Sequence, residues 1–350
     1  MLRSMYAGIS GMKTNQAKLD VIGNNIANVS TTAFKSSTTR FADTLYQTSS
    51  SATAPTSTVG GTNAKQVGLG AQLASINKVM SQGNLLSTGR TLDVAIDGDG
   101  YLIVGSGSTT YGGDDGTEGG NPVVDNTLET GDQSILYTRD GNLTLDYQGN
   151  LLTADGYRVM GYYLTDGNNP SSITGVEGDD GVIRPQASYV NPDGDLKAVG
   201  DDLGTLQPLV IPDTVYLIPG DETSAQAVKS YSIGKDGVIV GILANGQTTA
   251  LGQIALANFK NPEGLESVGG NLLQISSNSG TVLVRTPTGI EDGDNSNGFG
   301  QFVQGYLEGS NVDLTEQFTD MITATRAFQA SSKMITTGDE ILQTITGLMR

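Results

Sequence analysis

The chain has 350 residues, 48 of them glycine, with no cysteine, histidine or tryptophan; 19 basic against 37 acidic side chains give a formal charge of −18. That balance excludes recognition of nucleic acid, which rests on Lys and Arg meeting phosphates, and it disfavours anionic membrane surfaces. Without Cys or His there can be no disulfide and no thiolate or imidazole metal site, so cofactors and metals are expected to be absent.

A prior of about 150 residues per domain gives two or three domains. The glycine content and a hydrophobic fraction of 37% suit short strands and turns better than one large packed core. Charge is uneven: residues 1–40 carry five basic and one acidic side chain, residues 305–350 three basic and six acidic. The two ends therefore have net charges of +4 and −3, which places −19 on the 264 residues between them.

The first twenty residues lack the continuous apolar run of a signal peptide, and no stretch of 18 apolar residues exists to span a membrane. The segment is expected to form a helix. Leu2, Met5, Ile9, Met12, Gln16, Leu19, Gly23 and Ile26 follow the alternating three-four spacing of a coiled-coil seam, with Ile22 beside it. Gln16 and Gly23 interrupt that seam. The Asn-rich and β-branched run from Asn24 to Thr32 has weak helix propensity and is expected to end the helix.

Residues 47–65 are rich in Ser, Thr, Ala and Gly and read as part of an extended arm or linker over 35–71. From residue 69 the pattern becomes strands and turns. Asp97-Gly98-Asp99-Gly100 and Asp140-Gly141-Asn142 each separate two apolar runs with hairpin chemistry. Gln148-Gly149-Asn150, Asp155-Gly156, Asp236-Gly237 and Asn245-Gly246 repeat it. Two Gly/Asp-rich stretches, 105–133 and 164–205, look like insertions.

The clearest periodicity is C-terminal. Leu314, Met321, Phe328, Ile335, Leu342 and Met349 recur every seven residues. Phe318 opens a second row that fails at Thr325, Ser332, Asp339 and Thr346. Asp313 is expected to cap this helix, with Glu316 three residues on. The expected fold is thus mainly β, with paired, coiled-coil-like N- and C-terminal helices and a β-region inserted between them. The expected layout is a helical polymerisation domain (1–34 and 306–350), the arm (35–71), a main β domain (72–163 and 228–305) and a small outer insertion (164–227).

No catalytic constellation survives scrutiny. Gly105-Ser106-Gly107 lacks the third glycine of a dinucleotide loop. Ser10-Gly11-Met12-Lys13 and Ser75-Ile76-Asn77-Lys78 match a Ser-x-x-Lys spacing without the companion motifs. Asp292, Asp294 and Asn297 suggest a calcium loop, but its turn glycine would fall on Asn297 and its bidentate Glu on Val303. The chain is therefore read as non-enzymatic.

The segment Asp20-Val21-Ile22-Gly23-Asn24-Asn25-Ile26-Ala27-Asn28-Val29-Ser30-Thr31-Thr32-Ala33-Phe34-Lys35 resembles the N-terminal signature of the bacterial flagellar rod and hook proteins. The block from Gly305 through Asn311-Val312-Asp313-Leu314 is similar to their C-terminal one. Gln82-Gly83-Asn84-Leu85, Tyr137-Thr138-Arg139-Asp140-Gly141-Asn142 and Leu251-Gly252-Gln253-Ile254 match in the interior. The residues carrying the signature are Asn24, Asn25, Ala27, Asn28, Phe34, Lys35, Asn311, Val312 and Asp313; Ala33 stands where family members usually carry glycine.

Within the family, Gly60-Gly61-Thr62-Asn63 and Gln66-Val67-Gly68-Leu69-Gly70 are similar to the hook branch. Pro208-Leu209-Val210-Ile211-Pro212 is shared with the distal-rod branch. Hook members often carry an outer domain between this last strand and Tyr231, and here fewer than 20 residues lie there.

The resemblance implies export through the flagellar type III apparatus without a cleaved signal, and assembly outside the cytoplasmic membrane. The product would be a homopolymeric hook, a universal joint passing torque from rod to filament. Its neighbours would be the distal rod protein, the hook cap protein and the hook–filament junction protein. The alternatives are a distal-rod driveshaft subunit and, from another class, a secreted β-rich adhesion module.

Overall fold

A computed structural model describes residues 2–348 apart from 56, 58–59, 107–133, 166–172, 178–182, 193–195, 199–205, 218–223 and 286–298. The Asp292, Asp294 and Asn297 loop, Met349, nearly all of the 105–133 insertion and parts of the 164–205 insertion lie outside the described residues. The chain forms two compact units: residues 1–81 with 310–350, and residues 82–309.

The first unit is built from two helices and a ribbon. Helix α1 spans Leu2–Ala27 and α2 spans Leu314–Leu348. The Asn-rich run ends α1 as expected from its propensity: turns follow from Asn28 to Ala33. Asp313 caps α2, its Oδ1 accepting the backbone N–H groups of Thr315 at 2.8 Å and Glu316 at 3.3 Å. Strands β1 (Ser37–Asp43) and β4 (Ala71–Lys78) pair antiparallel, as do β2 (Tyr46–Ser50) and β3 (Lys65–Gly68). Residues 37–78 therefore run out and back as a two-stranded ribbon, with no third strand among the described residues on either edge.

The second unit is a β structure dominated by one sheet of 16 strands. At its centre, β7 (Tyr101–Ser106) lies between β8 (Ser134–Thr138) and the strand Arg158–Tyr162, all antiparallel. Leu102, Val104, Leu143, Leu151, Val159, Leu256 and Phe302 close its larger apolar cluster. The last strands of the unit return to its first. Gln301–Gln304 pairs with β6 (Val94–Asp97), and Tyr306–Glu308 pairs with β5 (Leu85–Ser87).

Four of the six expected turns make hairpins: those at Gly149, Gly156, Gly237 and Gly246, each glycine having φ between +79° and +87°. The other two do not. After Asp97-Gly98-Asp99-Gly100 the chain leaves β6 for the main sheet, so β6 and β7 do not pair with each other. After Asp140-Gly141-Asn142, Leu143–Leu145 pairs with Leu151–Thr153 rather than with β8. Gly141 is needed there for close approach: its carbonyl accepts the Val94 N–H at 3.0 Å, and a Cβ would overlap the Val94 carbonyl. Turn residues report a change of direction, and the partner strand is chosen by burial.

Tyr101 and Tyr137 stack edge-on against Phe259, with centroids 5.6 and 4.9 Å away. Burial pushes the Tyr101 hydroxyl up from 10 to about 12, and Tyr137 is raised by the same cause. Burial favours the neutral phenol in the folded state. Its contribution to stability is complete below pH 10 and is lost as pH climbs from 10 towards 12. Alkaline unfolding followed by circular dichroism should begin in that window, and Tyr101→Phe should move its midpoint to higher pH.

Candidate assembly interface

The two helices of the first unit run antiparallel. Met5 faces Gly338, Gly8 faces Ile335 and Gly11 faces Ser331. Lys18 Nζ lies 3.1 Å from Asp320 Oδ2, and Asn25 meets Gln317. The contact on α2 is a three-four alternation of two rows. One is the expected row through Met321, Phe328, Ile335 and Leu342, all half-buried.

The second row is Gln317, Ala324, Ser331 and Gly338, one position before the row opened by Phe318. Gln317 and Ala324 are the buried residues of α2, whereas Phe318 is 49% exposed. The second row expected from Phe318, failing at Thr325, Ser332 and Asp339, is thus displaced by one position. Small and polar residues fill it because the axes approach closely: a Cβ on Gly8, Gly11 or Gly338 would come within 3.1–3.3 Å of the opposite helix. The regular seven-residue spacing of Gln317, Ala324, Ser331 and Gly338 was the signal that could have found it.

On α1, Ile22 is buried, Ile9 is exposed, and Met5, Met12, Leu19 and Ile26 are half-buried. Leu2 lies in the first turn of α1. Leu314 on α2 is exposed. The row of large side chains is thus only partly covered by the partner helix.

The signature residues of the two chain ends meet at the base of the helix pair. Asn25, 1% exposed, donates from Nδ2 to Ser37 O at 2.8 Å and to Gln317 Oε1 at 3.0 Å, and its Oδ1 accepts the Ser37 N–H at 3.0 Å. Asn311 repeats this clamp: Oδ1 accepts the Ser36 N–H at 2.7 Å and Nδ2 donates to Val79 O at 2.8 Å. The Asn311 N–H reaches Phe34 O at 3.4 Å, and the buried Lys35 donates to Ser81 O at 2.7 Å.

An amide side chain fits both positions because it offers donor and acceptor together to backbone groups at the base of the β1–β4 ribbon. Val312 is half-buried beside this cluster. Asn24, Ala27 and Asn28 stand apart, on the turn that ends α1; Asn28 Nδ2 reaches Asn24 O at 2.9 Å. Ala33 has φ +55°. That is the left-handed region in which glycine is unstrained and alanine costs about 1 kcal/mol.

Apolar side chains remain uncovered on both parts of this unit. On α2 Phe318, Ile322 and Met334 are exposed, and on the ribbon Leu45, Tyr46 and Ile76 are exposed, Leu45 at 82%. Phe318 and Ile322 lie one helical turn apart on α2, an exposed apolar pair of the kind a contact surface uses.

Asn25→Leu strands the N–H and C=O of Ser37 and the Gln317 amide, and should cost about 3 kcal/mol. Asn24→Leu, on the exposed turn, should stay within about 0.5 kcal/mol. Urea unfolding of the two variants checks the contrast.

Comparison with known proteins agrees with this arrangement of the ends. Residues 5–35 match the family described as flagella basal body rod protein, and residues 303–348 match flagellar basal body rod FlgEFG protein C-terminal. Residues 127–241 match the flagellar hook protein FlgE/F/G D1 domain. The flagellar basal-body rod protein FlgG of Bacillus subtilis is 41% identical over 350 residues, covering 100% of both chains. The flagellar hook protein FlgE of Borreliella burgdorferi is 31% identical over 451 residues, covering 99% of this chain and 100% of that one. A crystal structure of the Helicobacter pylori flagellar hook protein FlgE2 aligns with 71% of this chain and 47% of that chain, at 14% identity and a TM-score of 0.21.

Proposed function

The chain belongs to the flagellar rod and hook family of axial proteins, and on that premise we propose that it polymerises with copies of itself into the hook, the flexible joint passing torque from rod to filament. The family is a structural component of the flagellum whose members assemble within its axis. The observation that carries the proposal is the helix pair. Its two members cover only part of each other's apolar surface, so copies packed around an axis would complete the burial.

Coiled-coil-like packing between neighbours would use Leu2, Met5, Ile9, Met12, Leu19, Ile22 and Ile26 on α1. On α2 it would use Leu314, Phe318, Met321, Phe328, Ile335 and Leu342, the row continuing in sequence to Met349. The opposite net charges of the two ends favour this pairing only modestly, since exposed pairs such as Lys18 with Asp320 are worth about 0–1 kcal/mol. Most helical stability in a protein comes from packing of an apolar face, and this pair covers its faces only in part. The ends therefore gain most of their stability on assembly.

The layout read from the sequence would serve this function: terminal helices for polymerisation, the 35–71 arm, the β domain over 72–163 and 228–305, and the 164–227 insertion, although residues 72–81 fall in the same compact unit as the helices and not with the rest of the β domain. The subunit is non-enzymatic and needs no cofactor. It is exported through the type III apparatus without a cleaved signal and meets the distal rod, hook cap and hook–filament junction proteins. No helix among the described residues is long and apolar enough to cross a membrane.

A second reading, the distal rod, is favoured by one observation. Alignment with the hook proteins of Treponema pallidum and Borreliella burgdorferi runs to 470 and 451 positions, about 100 or more beyond the 350 residues of this chain; alignment with the Bacillus subtilis rod protein needs only 350. The hook relatives thus carry a block that this chain lacks.

Electron microscopy of the concentrated protein separates the readings. Curved tubes support the hook and straight tubes the rod. Removal of 306–350 should abolish tubes of either kind; tubes that survive it would end the role of the helical ends in assembly, and full-length protein that stays monomeric would favour an adhesion module.

A further inference from the structure

Arg139 and Glu308 form a buried ion pair in the β-rich unit, far apart in sequence and 4% and 0% exposed at their side chains. Arg139 Nε donates to Glu308 Oε2 at 2.8 Å, and Nη2 donates to Gly98 O at 2.7 Å and Ile96 O at 3.3 Å. The second carboxylate oxygen, Oε1, accepts the Gly83 N–H at 2.8 Å. The Arg139 guanidinium also lies over the Tyr101 ring, 5.7 Å from its centroid.

The placement of this pair in the chain gives it a consequence beyond stability. The backbone crosses between the two units twice, after Ser81 and after Gly309. Inside the β-rich unit the two crossing segments run side by side: β5 pairs with Tyr306–Glu308, and the Gly309 N–H reaches Asn84 O at 2.8 Å. Force pulling the two crossings apart meets this short antiparallel ladder from its open end and loads its rungs one at a time, the weak direction for a pair of strands.

Glu308 changes that. Its carboxylate ties Gly83 on one crossing to Glu308 on the other. Through Arg139 both are fixed to the Ile96–Gly98 turn and to the end of β8 in the main sheet. All of these bonds involve a charged side chain, those from Arg139 to Glu308 and to Ile96 O are buried, and charge-assisted bonds are the strong ones.

We propose that the Arg139–Glu308 pair is the mechanical anchor through which tension carried by the backbone enters the β-rich unit. Arg139 and Glu308 are thus positioning residues for load transfer. The inference rests on the reading of the chain as a torque-bearing axial subunit. A force measured on single molecules does not depend on assembly, so failure of the anchor and failure of the polymer reading are distinguishable.

The chain has no native cysteine. Ser81→Cys and Ser310→Cys therefore give unique attachment points for optical tweezers on the full-length protein. Arg139→Met/Glu308→Leu removes the pair and leaves the Gly83 N–H and the Gly98 carbonyl without these partners, so it should lower the urea midpoint.

The first rupture force of the unit should fall about twofold in the double variant. Leu243→Ala, in the core on the strand Val238–Leu243, which pairs with none of β5, β6 and β8, should also lower the urea midpoint but leave that force in place. Glu308→Gln keeps the shape and loses the charge; it should lower the force by less, and it carries the test if the double variant fails to fold. An unchanged force in these variants, or an equal loss in Leu243→Ala, overturns the anchor.

Discussion

Everything in this structure depends on one constraint: the last part of the chain must come back to the first. The helix pair joins residues 2–27 to 314–348, and strands 301–304 and 306–308 return to β6 and β5. Closing such long loops costs only slowly more entropy as they lengthen. The returning segments must nevertheless bury enough to hold their place. In both units the return is fixed by a buried polar contact between distant residues, Asn25 with Gln317 and Arg139 with Glu308. Apolar rows supply most of the burial. The polar contacts decide where the returning segment stops, because a slipped arrangement would leave an amide or a charge without its partner.

This division of labour decides what could be read from the sequence. Both helices were legible, since apolar spacing and the Asp313 cap are local signals. The α2 row through Met321, Phe328, Ile335 and Leu342 was legible for the same reason. Its companion row was not, because Gln317, Ala324, Ser331 and Gly338 do not read as a hydrophobic stripe. Their placement answers to the distance between helix axes, set by Gly8 and Gly11 on the other helix. Turn chemistry located the changes of direction, yet at Gly98 and Gly141 it did not name the partner strand. That choice depends on contacts with residues 301–304 and with Val94.

The candidate site was legible only as a list. Asn25, Lys35 and Asn311 stood out through their family signature, and the physical reason for them appears only in three dimensions. Each satisfies backbone groups at the base of the ribbon, around residues 36–37 and 79–81. Ala33 is the converse case. A left-handed backbone is the conformation glycine adopts without strain, and alanine here accepts the strain. Arg139 and Glu308 gave no sign of pairing, because opposite charges 169 positions apart look like two solvated side chains.

The central claim is that the helical ends complete their burial only when copies assemble. Hydrogen exchange of soluble monomer against assembled tubes tests it most directly. The account predicts that amides of residues 2–27 and 314–348 exchange fast in the monomer and become strongly protected in the tube, while β6, β7 and β8 are equally protected in both. Helical amides already protected to the level of β7 in the monomer, with no gain on assembly, would contradict it.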